Sequence, residues 1–191
     1  MRAAGLLATA GLLLIGVNAY ADVLIRHVTV YDGTGAPPVA ADVRIQGDRI
    51  AAIAPHLEPL PGESVRDARA LALAPGFIDM HSHGNGGLLE DLDAATVSRQ
   101  GVTTIVVGQD GESDFPLRDW FGKLTSTPPA INVASMVGHA TLRLQAMGKD
   151  LYRPSTAQEL AQMKSLLKHE LTAGAFGLST GLEYEAAHFS T

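Results

Sequence analysis

From Val23 the chain alternates apolar and polar residues over short stretches, the period of a half-buried strand. Val23 to Val30 reads as one strand and Asp32-Gly33-Thr34-Gly35 as a turn. Asp42 to Gln46 and Arg49 to Ile53 form a second pair, and the Gly47-Asp48 step between them suits a tight hairpin. Pro55, Pro59, Pro61 and Gly62 mark a loop, and Ala70 to Ala74 closes this small β domain with a last short strand.

Beyond Pro75-Gly76 the pattern changes to alternating strands and helices. Phe77 to His81 is an apolar strand, Leu88 to Gln100 a helix ended by Gly101, and Val102 to Val107 a β-branched strand. Leu117 to Leu124 is a short amphipathic piece and Ile131 to Val137 a third strand. The clearest helix starts at Ser155 or Thr156 and runs to about Ala173. Thr156 with Glu159 fits a capping box, Leu160, Met163, Leu166, Leu167 and Leu171 make an apolar stripe, and Gly174 suits the exit. Ala175 to Leu178 is a fourth strand. Strands separated by helices predict parallel βα units.

A full (β/α)8 barrel takes about 250 residues, so about four strand signals in a 191-residue chain predict only its first half. The expected fold is α/β: a partial TIM-like barrel of about four βα units over residues 75–191, preceded by part of a β-sheet domain over 22–74. Its last strand would present an unpaired edge, which favours aggregation or pairing with another chain.

Residues 1–21 read differently. Met1-Arg2 is a positive start, Leu6 through Val17 is apolar, and Ala19-Tyr20-Ala21 fits a small-x-small cleavage site, together the pattern of a secretory signal peptide. The apolar run is shorter than the roughly 18 residues a membrane span requires, so a secreted or periplasmic protein with no stable span after cleavage is expected. The chain has no cysteine, which removes disulfides from its stability. A net charge of −6 without any Lys/Arg cluster argues against nucleic acid as a partner.

The chemistry concentrates in Gly76-Phe77-Ile78-Asp79-Met80-His81-Ser82-His83. Alternation along a strand puts His81 and His83 on one side, at the C-terminal end where barrel enzymes carry their sites. Two imidazoles there can hold one divalent ion; zinc suits them, and iron, nickel and manganese stay open. Asp79 shares their face and fits a supporting carboxylate. His27, His56 and His169 lie in the β domain or at a helix end, and His188 in a loop. No Gly-x-Ser-x-Gly elbow or phosphate loop is present, so a serine hydrolase or nucleotide enzyme has no support.

Pro75 to His83 resembles the first-strand motif of the amidohydrolase superfamily. Gln100-Gly101-Val102-Thr103-Thr104-Ile105-Val106-Val107-Gly108, Val137-Gly138-His139 with Leu142-Arg143, Gly174-Ala175-Phe176-Gly177-Leu178-Ser179-Thr180-Gly181-Leu182, and Glu183-Tyr184 resemble its N-acyl-D-amino-acid deacylase (D-aminoacylase) family. The set is specific, although each segment alone is weak. The resemblance implies a distorted TIM barrel flanked by a small β-sandwich, with His81 and His83 as metal ligands. Asp110 occupies the place of a metal-binding cysteine in well-known members. It can ligate or bridge as a harder donor; an aspartate in a Gly-rich loop is also an ordinary turn residue, and Glu112 is the next carboxylate along. Cyclic-amide hydrolases of the superfamily carry a carboxylated lysine at the end of the fourth strand, where this chain has Ser179. That favours linear amides.

Tyr184 resembles a family tyrosine that binds the substrate carboxylate or shapes its pocket. His139 and Arg143 are placed at the same mouth, with a hydrogen-bonded core position as the other reading of His139. The implied activity is deacylation of N-acyl-D-amino acids, or cleavage of a related peptide, with one or two zinc ions. The catalytic group and remaining ligands are implied in later strands, so these 191 residues alone are expected to be inactive. A dipeptidase of the same superfamily, or a truncated metal-binding chain without turnover, are the alternatives.

Overall fold

Eight residues from Val23 to Val30 form β1, the strand around which the first unit is built. This computed structural model describes residues 22–190, so the leader segment lies outside the described residues. β2 (Val39–Gln46) pairs antiparallel with β1, and β3 (Arg49–Ala54) pairs antiparallel with β2 through the Gly47-Asp48 turn. Gly47 takes the positive φ of 59° that such a turn demands of its first residue. β4 (Ser64–Asp67) and β5 (Ala72–Leu73) both lie parallel to β1, giving a five-stranded sheet. Val28, Val30, Ala41, Val43 and Ala68 bury its core face.

One strand here was not anticipated, and one expected strand is shorter. Ser64–Asp67 pairs along β1 although its pattern carries a single apolar residue, Val65, and so offers no alternation to read. The anticipated Ala70–Ala74 strand contracts to Ala72–Leu73, because Ala70 turns into the left-handed region at φ 65°. A register shift between Ile25 and Val28 marks a bulge, where His27 has φ 60°. Buried Asp42 accepts the His27 N–H at 2.8 Å and the Leu57 N–H at 3.0 Å, pinning bulge and following loop together.

The chain divides between Pro75 and Gly76. In the second unit β6 (Phe77–Asp79), β7 (Val102–Val107) and β8 (Asn132–Ser135) form a parallel sheet in that order. Ile105, Val106 and Val107 are all buried, as a parallel strand covered on both faces requires. Gly76 lets the chain enter β6 against Thr103: a Cβ there would lie 2.1 Å from the threonine side chain.

The helix expected over Leu88–Gln100 shrinks to α1 (Ala95–Ser98), preceded by turns. Ala94 sits at φ 44°, which no continuous right-handed helix accommodates, and the neighbouring Asp91 and Asp93 are turn formers. α2 (Leu117–Ser126) buries Leu117, Trp120 and Leu124. The third expected strand changes partner midway. Met136 N–H still donates to Val107 O, but β9 (Val137–Gly138) then pairs in parallel with β10 (Leu178–Ser179).

Helix α3 (His139–Met147), not anticipated from the sequence, follows β9 directly; its buried face mixes Ala140, Leu142 and Met147 with Arg143. α4 (Ala157–Thr172) has both bonds of the capping box between Thr156 and Glu159. Its core stripe is narrower than expected. Met163 is buried and Leu166 and Leu167 are partly so, while Leu160 and Leu171 are exposed and Glu170 is 0% exposed. No helix among the described residues is long and apolar enough to cross a membrane.

A candidate metal centre at the strand ends

β6 stops at Asp79, and its carboxylate accepts the backbone N–H of His81 at 3.2 Å. Asp79 thus supports the histidine segment through the backbone and leaves the imidazole free. Ser82, between the histidines, turns inward, is buried, and accepts the Gly84 N–H at 3.2 Å. The expected strand to His81 is thus two residues shorter, but the Ser82 N–H still bonds Val106 O at 3.0 Å and keeps the segment alongside β7; His81 and His83 face outward together, 61% and 67% exposed, with ring centroids 5.5 Å apart.

Asp110 meets them from the loop after β7. Its Oδ2 lies 3.2 Å from His81 Nε2 and 3.1 Å from His83 Nε2. The three donor atoms fall within 4.8 Å of one another, and no other group of three or more His, Asp or Glu side chains converges this way among the described residues. The donor set of two imidazoles and one carboxylate suits zinc. Ligands at 2.0–2.1 Å on a tetrahedron stand about 3.3 Å apart, close to the spacing of Asp110 from each ring.

The loop bearing Asp110 is held in an unusual conformation. Asp110 has φ 57°, between Gly108 at 76° and Gly111 at 87°. Gln109 Nε2 donates to Met80 O at 2.9 Å and to Val106 O at 3.1 Å, tying the loop to the ends of β6 and β7. Ser179 Oγ donates to Gly108 O at 2.6 Å and accepts the Gly111 N–H at 3.1 Å. Gln109 and Ser179 carry no signal of this bracing in the sequence, because all the partners are backbone groups and, Val106 apart, they lie far along the chain.

Of the other residues singled out, Tyr184 and Glu112 line a cavity of about 190 Å³ with His83, Gln109 and Asp110. Tyr184 is half exposed beside the cluster, and Glu112 is a wall residue outside the converging trio. Arg143 requires correction. It is 1% exposed, and its guanidinium donates to the carbonyls of Ala186, Leu151 and Arg153 at 2.9–3.0 Å. Its Nε and Nη2 thus bond backbone carbonyls from a buried position, unlike the expected residue lining the mouth.

His139 opens α3 outside the histidine–aspartate cluster, with Nδ1 buried and unpartnered. Burial, and secondarily the nearby Arg143 charge, push its imidazole below the ordinary histidine value and favour the neutral ring. His27 pairs with Asp67 and His56 with Glu58 in the first unit, His169 lies beside Glu170, and His188 stacks edge-on against Phe189.

No family model matches the chain. Individual proteins do. An N-acyl-D-aspartate deacylase of Alcaligenes xylosoxydans xylosoxydans is 41% identical over 88% of this chain and 38% of its own length. Among solved structures, a D-aminoacylase that defines a subset of the amidohydrolases superposes with TM-score 0.80 at 36% identity, over 88% of this chain and 40% of its own. An N-acyl-D-glutamate deacylase of Bordetella bronchiseptica, complexed with zinc and a phosphonate mimic of the tetrahedral intermediate, gives TM-score 0.84 at 37% identity, over 90% and 40%. Fold and sequence together place the chain in the amidohydrolase superfamily. Within it, the chain belongs to the D-aminoacylase family and spans about two fifths of the length of the curated relatives it matches.

Proposed function

We propose that the protein carrying this chain is a metal-dependent hydrolase of linear amides that releases D-amino acids from their N-acyl derivatives. The convergence of His81, His83 and Asp110 on a common point carries this reading, and the deacylases among its relatives supply the substrate class. The same reading takes β6 to β10 as the opening βα units of a (β/α)8 barrel, supported by their parallel pairing, and the first unit as part of a β-sandwich. The segment from Met1 to Ala21 is read as an export signal, for which a mature protein starting at Asp22 is the check.

His81, His83 and Asp110 would hold zinc, and a zinc ion when bound supplies Lewis acidity toward a carbonyl and toward water. The chain's own residues prepare that site. Asp79 fixes the backbone of the histidine segment, and Gln109 and Ser179 fix the aspartate loop. Tyr184 offers a phenol at the cavity wall next to His83 and Asp110, where it can donate one hydrogen bond to a substrate carboxylate while its ring packs on the substrate.

The test is amino-acid release from N-acetyl-D- and N-acetyl-L-amino acids by the full-length protein loaded with zinc. Release from the D series, lost on chelation and in His81→Ala, is expected. A zinc-loaded protein that leaves every N-acyl-D-amino acid intact would overturn the proposal.

A further inference from the structure

Ser179 ends β10 at the position where the sequence resemblance places a ligand-bearing lysine in cyclic-amide hydrolases. Here the side chain has another occupation. Its single proton goes to Gly108 O at 2.6 Å, and the same oxygen accepts from Gly111 N at 3.1 Å. One hydroxyl thereby closes both ends of the Gly108–Gly111 loop, whose third residue is Asp110.

Neighbouring glycines make this clasp tight. A Cβ on Gly181 would stand 2.3 Å from the Asp110 carbonyl oxygen, and one on Gly138 would stand 2.2 Å from the Gly111 carbonyl oxygen. The loop is pressed against the end of β9 and the segment that follows β10, and Asp110 is kept at φ 57°. That backbone state is one a free aspartate visits only as a minority.

We infer that Ser179 is a positioning residue for the metal centre: it fixes the peptide frame of Asp110 so that the carboxylate faces His81 and His83 before a cation arrives. The inference rests on the metal-centre reading above and adds a residue that does not itself touch the cation. Without the hydroxyl, Gly108 O and Gly111 N lose their shared partner and the loop can relax toward commoner backbone angles. The carboxylate then has to be ordered at the moment of binding, and affinity falls by the ordering cost.

Zinc affinity of the full-length protein, measured by competition with a chromophoric chelator, separates the outcomes. Ser179→Ala is expected to bind zinc about 10- to 100-fold more weakly, the range for loss of an outer partner of a metal ligand. Ser179→Thr, which keeps the hydroxyl, is expected to restore most of it. Losing these two bonds should lower the metal-free thermal midpoint of Ser179→Ala modestly while leaving the protein folded at the temperature of the titration. Parental affinity in Ser179→Ala overturns the inference, and so does a loss of affinity in a metal-free protein that is unfolded at that temperature. If the parent protein binds no zinc, the reading of the centre has failed; if the parent binds and only the Ser179→Ala effect is missing, that reading stands and the positioning role alone is wrong.

Discussion

Glu170 Oε2 accepts the backbone N–H of Leu117 at 2.7 Å inside the core of the second unit, joining the end of α4 to the start of α2 across 53 residues of sequence. Pro116 before this helix provides no side-chain cap, so the buried carboxylate takes that part. Glu170→Leu would leave the Leu117 N–H buried without a partner. It is expected to lower unfolding stability by about 2–3 kcal/mol, whereas Glu170→Gln, which keeps an acceptor, should cost less. Urea unfolding of the three proteins checks the ordering.

This contact also shows what the sequence could and could not display. Val102–Val107 is legible because β-branched residues run unbroken between glycines, and the start of α4 is legible because Thr156 and Glu159 act within four residues. His81 and His83 are legible because their two-residue spacing just after an apolar strand suggests a common side, although β6 itself ends at Asp79. The centre's third member depends on Asp110 taking a left-handed backbone angle, which periodicity cannot report. The width of the α4 stripe fails for a related reason: counting apolar positions misses Glu170, whose value lies in a distant N–H. α3 escapes notice because a buried arginine interrupts its apolar face.

The start of α4 makes a prediction about acid. Arg153 bonds Glu159 through two nitrogens at 2.8 and 2.7 Å, and Thr156 N–H adds a bond of 2.8 Å. Arg153 first, and the Thr156 backbone next, hold the Glu159 carboxyl down at about 2 against an ordinary 4.5. A group whose value is depressed on folding contributes fully above its unfolded value, and the contribution disappears as pH falls through the folded one. The capping network should therefore persist at pH 4.5 and be lost progressively between there and about pH 2. Carboxyl carbon shifts followed by NMR should show Glu159 titrating near the lower limit. A midpoint near 4.5 would mean that the network does not form in solution.

Arg143 separates a structural from a substrate-binding role. Its guanidinium is the hydrogen-bond donor for the carbonyls of Leu151, Arg153 and Ala186. Arg143→Ala removes these bonds and opens a hole in the interior, with an expected loss of about 3–4 kcal/mol. The change should appear in urea unfolding with no ligand present. A variant as stable as the parent, altered only in its KM for N-acyl amino acids, would return the residue to the mouth of the site.

The carboxylate at position 110 predicts a metal response that a thiolate would not give. Binding only to the folded state, zinc at 100 times its dissociation constant should add about 2.7 kcal/mol to stability. A chelator should abolish that gain, as should His81→Ala or His83→Ala. Asp110→Asn keeps the shape but removes the charge facing both imidazoles, so zinc affinity should fall by about tenfold or more. Asp110→Cys restores a softer donor and is expected to tighten zinc while weakening manganese, because thiolate selects zinc and carboxylate suits manganese. Parallel titrations of the parent and the two variants with both metals read this directly. If Asp110→Cys changed neither affinity, Asp110 would be a turn residue that happens to face two histidines, and the cation would have to find its third ligand elsewhere.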